Sequence, residues 1–285
     1  MKYIKFCNGC KKKNVIDIPL HNLQICKNCL LISKKIKSNY NPTIKKVFKS
    51  NKGYDWKLED LESRSKKNYF FFKKILKFTK FKNSDHILDF GSGYGPLLHI
   101  LKKKKFKAFG LEPSIKNSKI SKKLGHSVTN GYLNTKTFKK KRFKLIVSLY
   151  TFTYIDDLAK IFEIFRNILK DNGYILIRVH QYKYSKSYWQ ADHFKVAGKD
   201  KEISSNHFST HSLKNLFNFH NFDIILFEKN IEGVTIIAKK IKNKKYKRIG
   251  NYKFEIFYIR YLVFLISNIF LYLHKIKIKF RKVLF

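Results

Sequence analysis

Ile87-Leu88-Asp89-Phe90-Gly91-Ser92-Gly93-Tyr94-Gly95 decides the fold. A short apolar strand runs into three alternating glycines, and Pro96, a residue suited to the first turn of a helix, follows at once. Glycine lets the backbone turn sharply from strand to helix and pass close to a ligand, while the unpaired N–H groups of the helix start suit an anionic group. The sixth position of the run is Pro96, so the longer Gly-x-Gly-x-x-Gly spacing of dinucleotide sites is not met. Further on, Phe109-Gly110-Leu111-Glu112-Pro113-Ser114 places Glu112 twenty-one residues after Gly91, at the end of a second strand. A carboxylate there can accept hydrogen bonds from both hydroxyls of a ribose.

Around this centre the chain alternates between two periods. Residues 61–81 carry Tyr69, Phe72, Ile75, Leu76 and Phe78 at roughly helical spacing, which predicts one long helix. Strands are predicted at 86–90, 106–111, 145–150, 174–179, 222–227 and 234–239, with helices between them. Such alternation gives an α/β fold with a mostly parallel sheet, helices on both faces, and a ligand beyond the carboxyl ends of the strands.

DFGSGYG followed by GLEPS resembles motifs I and II of the class I S-adenosylmethionine (AdoMet)-dependent methyltransferases. Residues 143–157 (FKLIVSLYTFTYIDD) are similar to the fourth-strand motif of that family, 166–179 (RNILKDNGYILIRV) to its helix-turn-fifth-strand motif, and 207–213 with Phe222 to the approach to its sixth strand. The resemblance implies a Rossmann-like sheet of seven strands, the last antiparallel, with AdoMet across the first, second and fourth. It further implies that Asp89, Gly91, Gly93 and Gly95 contact or shape the methionine end, that Glu112 holds the ribose, and that Tyr132 and Leu133, with Asn130, frame the adenine. Departures stand beside it. Lys144 replaces a frequent acidic residue at the start of the fourth strand, Gly131-Tyr132-Leu133-Asn134 replaces an acidic residue near the adenine, and Tyr154 stands where a His is frequent.

A sulfonium carries its own leaving group, so such an enzyme must chiefly align a nucleophile with the methyl and exclude water. Only hydroxyl or carbon acceptors also need a base. Tyr154, His180 and His193 are the leading catalytic candidates, with Tyr150, Tyr188, Asp192 and His207 behind them.

The four cysteines of the chain fall as Cys7-x2-Cys10 and Cys26-x2-Cys29. Each pair makes a knuckle aiming two sulfurs at one point, and two knuckles supply the S4 set favoured by a structural Zn2+ with no open coordination position. The organisation expected is a zinc ribbon over 1–38, a linker over 39–60, a methyltransferase domain over 61–240 and a basic, aromatic-rich helical tail over 241–285. A ribbon ahead of such a domain resembles the bacterial sugar C-methyltransferases acting on nucleotide-linked deoxysugars. With about forty-five residues after the last predicted strand, the further C-terminal α/β domain of that group has no counterpart, so its C-methylation mechanism is not carried over.

The net charge of +43 invites a polyanionic partner, yet only seven of the 62 basic residues are Arg, the side chain that nucleic-acid readers favour. Nucleic acid therefore ranks below a small-molecule acceptor, a nucleotide-sugar or a lipid-linked precursor. No apolar run of signal-peptide length lies between the first lysines and Cys7, which places the chain in the cytoplasm. Residues 261–273 are uncharged, too short a run to span a bilayer, but with the basic residues after them they suit peripheral contact with an anionic membrane at its inner face. Three functions remain open on the residues: methyl transfer to an envelope sugar or lipid-linked precursor, methyl transfer to RNA, and a non-catalytic zinc-containing interaction module.

Overall fold

The computed structural model of the protein describes residues 5–18, 23–35, 58–139, 142–180, 205–230, 233–242, 245–250 and 253. Strand β4 (His86–Phe90) leads through the glycine turn into α2 (Pro96–Lys103), the second helix after α1 (Leu61–Phe72). Then come β5 (Lys107–Glu112), α3 (Ile115–Lys123), β6 (Val128–Asn130), β7 (Phe143–Leu149), α4 (Leu158–Ile168), β8 (Leu169–Val179), β9 (Asn206–His207), α5 (Thr210–Phe219), β10 (Phe222–Asn230) and β11 (Gly233–Lys240). The helix starts are capped as their sequences demand. Ser114 accepts from Asn117 N at α3, Asp157 from Lys160 N at α4, and Ser209 and Ser212 form a reciprocal box at α5.

The seven strands line up as β10-β11-β8-β7-β4-β5-β6. Pairings β4 with β5 and β7, β5 with β6, and β7 with β8 are parallel, while β11 runs antiparallel to both β8 and β10. Side chains alternate across this sheet with the period of two that a strand imposes. Ile87, Leu145, Val147, Leu176 and Ile237 meet Phe72, Ile75, Leu97 and Leu101 on one face. On the other, Leu88, Phe90, Ile146, Ile175 and Ile177 meet Phe162, Phe165 and Ile168 of α4 and Leu213 and Phe217 of α5. Leu158, Ile161, Phe162, Phe165 and Ile168 recur at the three- and four-residue intervals of a buried helix face.

Two elements differ from the sequence expectation. The helix predicted over 61–81 is α-helical only to Phe72, and Lys73–Lys77 tighten into a 3-10 turn. Phe72 and Ile75, three residues apart, both bury in the sheet core, a spacing that three residues per turn satisfies, while Leu76 and Phe78 are left exposed. Strand β6 is the one of the seven expected strands without a predicted position, because Val128-Thr129-Asn130 is short and largely solvent-facing, without an apolar run.

Ahead of this domain, β1 (Val15–Ile18), β2 (Leu23–Cys26) and β3 (Ile32–Lys34) form an antiparallel ribbon. Its fourth strand is β9, with Ile32 opposite His207 and Ser33 opposite Asn206, so the ribbon sheet is completed from far along the chain. The ribbon packs on the α4–α5 face: Cys7, Cys10, Cys26, Cys29 and Leu31 belong to the same apolar cluster as Phe162, Leu213 and Leu216. Polar links reinforce it, including Ala159 N to Asn8 O at 2.9 Å, His220 Nε2 to Gly9 O at 2.6 Å and Tyr246 Oη to Asn28 O at 2.8 Å.

Among the described residues, no helix is long and apolar enough to cross a membrane. The aromatic tail from 254 to 285, most of the linker, and His193, Tyr188 and Asp192 lie outside the described residues.

Candidate active site

All three glycines after β4 adopt left-handed backbone, with φ of 79° at Gly91, 57° at Gly93 and 96° at Gly95. Their reasons differ. A Cβ on Gly91 would lie 2.1 Å from Thr151 Oγ1, and one on Gly95 would lie 2.5 Å from Ser121 Oγ and 2.6 Å from His126 Nδ1. Gly93 faces open space, with nothing within 4 Å of such a carbon, so it is the glycine past which a ligand can lie. Gly91 and Gly95 therefore shape the turn, and Gly93 lines the crevice.

Glu112 closes β5 and turns toward that loop. Its Oε2 accepts from Gly93 N and its Oε1 from Ser114 N, both at 2.8 Å. Each oxygen keeps a lone pair for an incoming hydroxyl. Burial pushes the carboxyl up, opposed by those two amides. Asp89, also buried, is pushed up to about 8, first by desolvation and then by the charge of Glu112. Two buried carboxyls, one raising the proton affinity of the other, make a seat for a cation and for paired hydroxyls, which suits the aminoacyl and ribose parts of AdoMet.

The adenine wall is mixed. Gly131 (φ 141°) also faces open space, and Asn130 Nδ2 donates to Glu112 O at 2.9 Å, bracing the end of β5. Tyr132 is 40% exposed, and its phenol is pushed up by burial and then by the charges of Glu112 and Asp156. Leu133 is buried in the core cluster below, so its part is mainly to hold the loop.

Across the crevice, Tyr150 follows β7 with φ at 65°, a conformation that is a genuine outlier for so bulky a residue. Three contacts hold it. Its N–H donates to Arg178 O at 2.7 Å, its ring packs at a tilt of 31° on that of His180 with centroids 4.5 Å apart, and its hydroxyl accepts from Arg178 Nε. Arg178 is 1% exposed; it also donates to Thr235 Oγ1 at 2.8 Å and Asn230 Oδ1 at 3.2 Å, and its guanidinium lies 4.0 Å over the ring of Phe71. Of the catalytic candidates, His180 is thus joined to Tyr150, Tyr154 sits half-buried in a one-turn helix just beyond (Phe152–Tyr154), and His193 is outside the described residues. Sequence reading passed over Arg178, although a charged residue at an inward position of an otherwise apolar strand was a visible signal.

Lys144 occupies the outer end of β7, far from this edge, donating to Asn172 O at 3.2 Å. Its replacement of an acidic residue leaves the crevice untouched.

The four cysteines converge as their spacing demands, all four sulfurs lying within 4.8 Å of one another. Tetrahedral zinc with bonds of about 2.3 Å sets its sulfurs about 3.8 Å apart. Cys7 Sγ lies 3.5 Å from Cys29 Sγ, and Cys10 Sγ lies 3.6 Å from Cys26 Sγ. The knuckles are near copies: Gly9 N points at Cys7 Sγ and Asn28 N at Cys26 Sγ, each at 3.3 Å. Lys11 and Leu30, one residue past each second cysteine, both take left-handed backbone. The donor set fits a closed structural site with four thiolates.

A parallel sheet reversed only at β11, a glycine turn after β4 and a carboxylate at the tip of β5 define the class I AdoMet-dependent methyltransferases. The chain belongs to the methyltransferase domain family, whose model matches residues 63–226. It is similar in fold to a complex between the Haloferax volcanii Trm112 methyltransferase activator and a methyltransferase (13% identity, 70% of this chain and 99% of that one, TM-score 0.53). A sarcosine dimethylglycine methyltransferase from Galdieria sulphuraria (12% identity, 61% and 85% covered, TM-score 0.50) and a Pyrococcus horikoshii OT3 protein (15%, 62% and 91%, TM-score 0.50) share it. No curated protein matches the sequence.

Proposed function

We propose that this methyltransferase acts on a small molecule, a sugar or lipid-linked precursor of envelope synthesis, in the cytoplasm. When bound, AdoMet supplies an electrophilic methyl whose C–S electron pair leaves with the sulfur. Asp89 and Glu112 seat its aminoacyl and ribose parts, Gly93 gives it room, and Tyr132 borders its base. What the acceptor meets is the edge made by Tyr150, His180 and Tyr154.

The observation that carries the small-molecule reading is the strained Tyr150, fixed between Arg178 and His180. A rigid hydroxyl beside an imidazole suits recognition of one compact polar group and the removal of its proton, as a sugar hydroxyl requires. The four thiols hold one Zn2+ with a structural role, the tail from 252 contributes any contact with an anionic membrane, and the ribbon, linker, catalytic domain and tail divide near residues 38, 60 and 240.

Methyl-labelled AdoMet offered with pools of nucleotide-linked sugars, lipid-linked sugars and total RNA tests this. Label in a sugar pool, lost in Tyr150→Phe with AdoMet binding intact, is the expected result. Label in RNA alone would assign the chain to nucleic acid, where its charge of +43 would act.

A further inference from the structure

The segment from Thr151 to Asp157 borders the crevice. Thr151 packs on Gly91 so closely that no side chain fits between them, and Asp156 is near enough to raise the phenol of Tyr132. Phe152 anchors this segment in the core against Phe162 and Phe165 of α4. Further polar fixtures come from Ser205 and β9 on the ribbon side. Ser205 N donates to Thr153 O and Ser205 Oγ to Asp156 Oδ1, each at 2.7 Å. Asn206, fully buried, donates through Nδ2 to the carbonyls of Phe152 and Ile155.

Both residues are themselves held by the ribbon. Lys34 N donates to Ser205 O at 2.9 Å, Ser33 pairs with Asn206, and Asn8, between the two cysteines of the first knuckle, donates through Nδ2 to Asn206 Oδ1 at 3.3 Å. The same knuckle reaches the far end of the segment, where Asn8 O accepts from Ala159 N and Lys11 Nζ pairs with Asp157 at 2.6 Å. From Cys7 the path runs along the chain to Asn8, then through the buried hydrogen bonds Asn8–Asn206 and Asn206–Phe152 to the wall that meets the glycine loop.

We infer that the cysteine ribbon braces the cofactor pocket, with Asn206 as the positioning residue, so that affinity for the cofactor depends on an intact, metal-loaded ribbon. The inference rests on the proposed structural metal but not on any acceptor, and therefore survives a wrong acceptor. Coupling of this kind travels through a packed, hydrogen-bonded chain whose loss costs order at the far end.

Calorimetry of S-adenosylhomocysteine binding, paired with amide hydrogen exchange, tests it on the full-length protein with its metal content measured. Asn206→Ala and the milder Ser205→Ala and Asn8→Ala should each retain the metal. Asn206→Ala should bind about tenfold more weakly and the other two severalfold, with faster exchange at residues 152–157 and unchanged exchange in β4. Metal stripped by a chelator should give the same pattern. Unchanged affinity in all three folded, metal-loaded variants would overturn the inference, as would unchanged affinity in folded, metal-free protein. Should Asn206→Ala or the stripped protein unfold, the two milder variants still decide.

Discussion

The glycine crevice and the cysteine cluster are the two places where short motifs concentrate, and they are built over different distances. In the crevice, Gly93 and Glu112 are nineteen residues apart and meet because β4 and β5 are adjacent parallel strands. The cysteine knuckles close on themselves, yet their surroundings come from residues 146 to 221 positions away, as with Lys11 and Asp157 or Lys27 and Arg248. One site is assembled within one sheet. The other is a cap that finishes a domain encoded elsewhere, so damage to the crevice should read out chiefly in binding, and damage to the cap in stability and, through the 151–157 wall, more weakly in binding.

Gly91→Val should give the largest effect. A β-branched side chain at φ 79° is strained, and its Cβ collides with Thr151, so the loop must move away from Glu112. AdoMet binding should fall at least about a hundredfold while far-ultraviolet circular dichroism stays that of a folded α/β protein. Near-normal affinity would remove the crevice from the site.

Glu112→Gln comes next. It keeps an acceptor oxygen for Gly93 or Ser114 but removes the charge, and hydrogen bonds to charged groups are worth about 1.5–3 kcal/mol, so affinity should drop about ten- to a hundredfold. The melting temperature should barely change. An equal loss of stability would show that Glu112 is mainly a structural clamp.

Asp89 gives a pH signature. Its carboxyl is pushed up from an ordinary value near 4 to about 8 in the folded chain, so between those limits the native state binds more protons than the unfolded one. Stability contributed by this group is complete at low pH and is lost as pH rises toward 8. Asp89→Asn should flatten that decline, raising stability at pH 8 by about 1–3 kcal/mol relative to wild type while changing little at pH 5. Thermal melts at the two pH values measure it, and a cation seated beside Asp89 should likewise release a proton, visible as a buffer-dependent binding enthalpy.

These differences follow what could be read in advance. ILDFGSGYG and GLEPS specify their own contacts: a strand, a turn that only glycine tolerates, and a carboxylate delivered by the next strand. The S4 cluster was equally legible because each knuckle is four residues long. What stayed hidden depends on tertiary partners. Nothing around Asn206 and His207 marks a strand, since two polar residues become one only when β3 supplies the ladder. Tyr150 looked like one tyrosine among seventeen until its positive φ and the arginine beneath it were known. Gly9 lies inside the first knuckle, yet among the knuckle residues the left-handed positions belong to Lys11 and Leu30, so turn conformation is not what calls for a glycine there.

Gly9 therefore supplies the smallest and sharpest prediction. A Cβ there would sit 2.4 Å from Leu216 Cδ2 and 3.0 Å from Leu31 Cδ2, so the glycine is required by the approach of the knuckle to α5. Leu216 is buried and cannot swing clear without disturbing its neighbours, and overpacking of this sort costs about 1 kcal/mol or somewhat more. Gly9→Ala should lower stability by that amount in denaturant melts and leave the metal bound, because the amide that points at Cys7 Sγ is retained. Pairing it with Leu216→Ala makes room for the added methyl, so the double variant should be less destabilised than the sum of the two single changes. Simple additivity would mean that the ribbon can shift on α5 at no cost, and the contrast between a docked cap and a crevice built within one sheet would then lose its energetic basis.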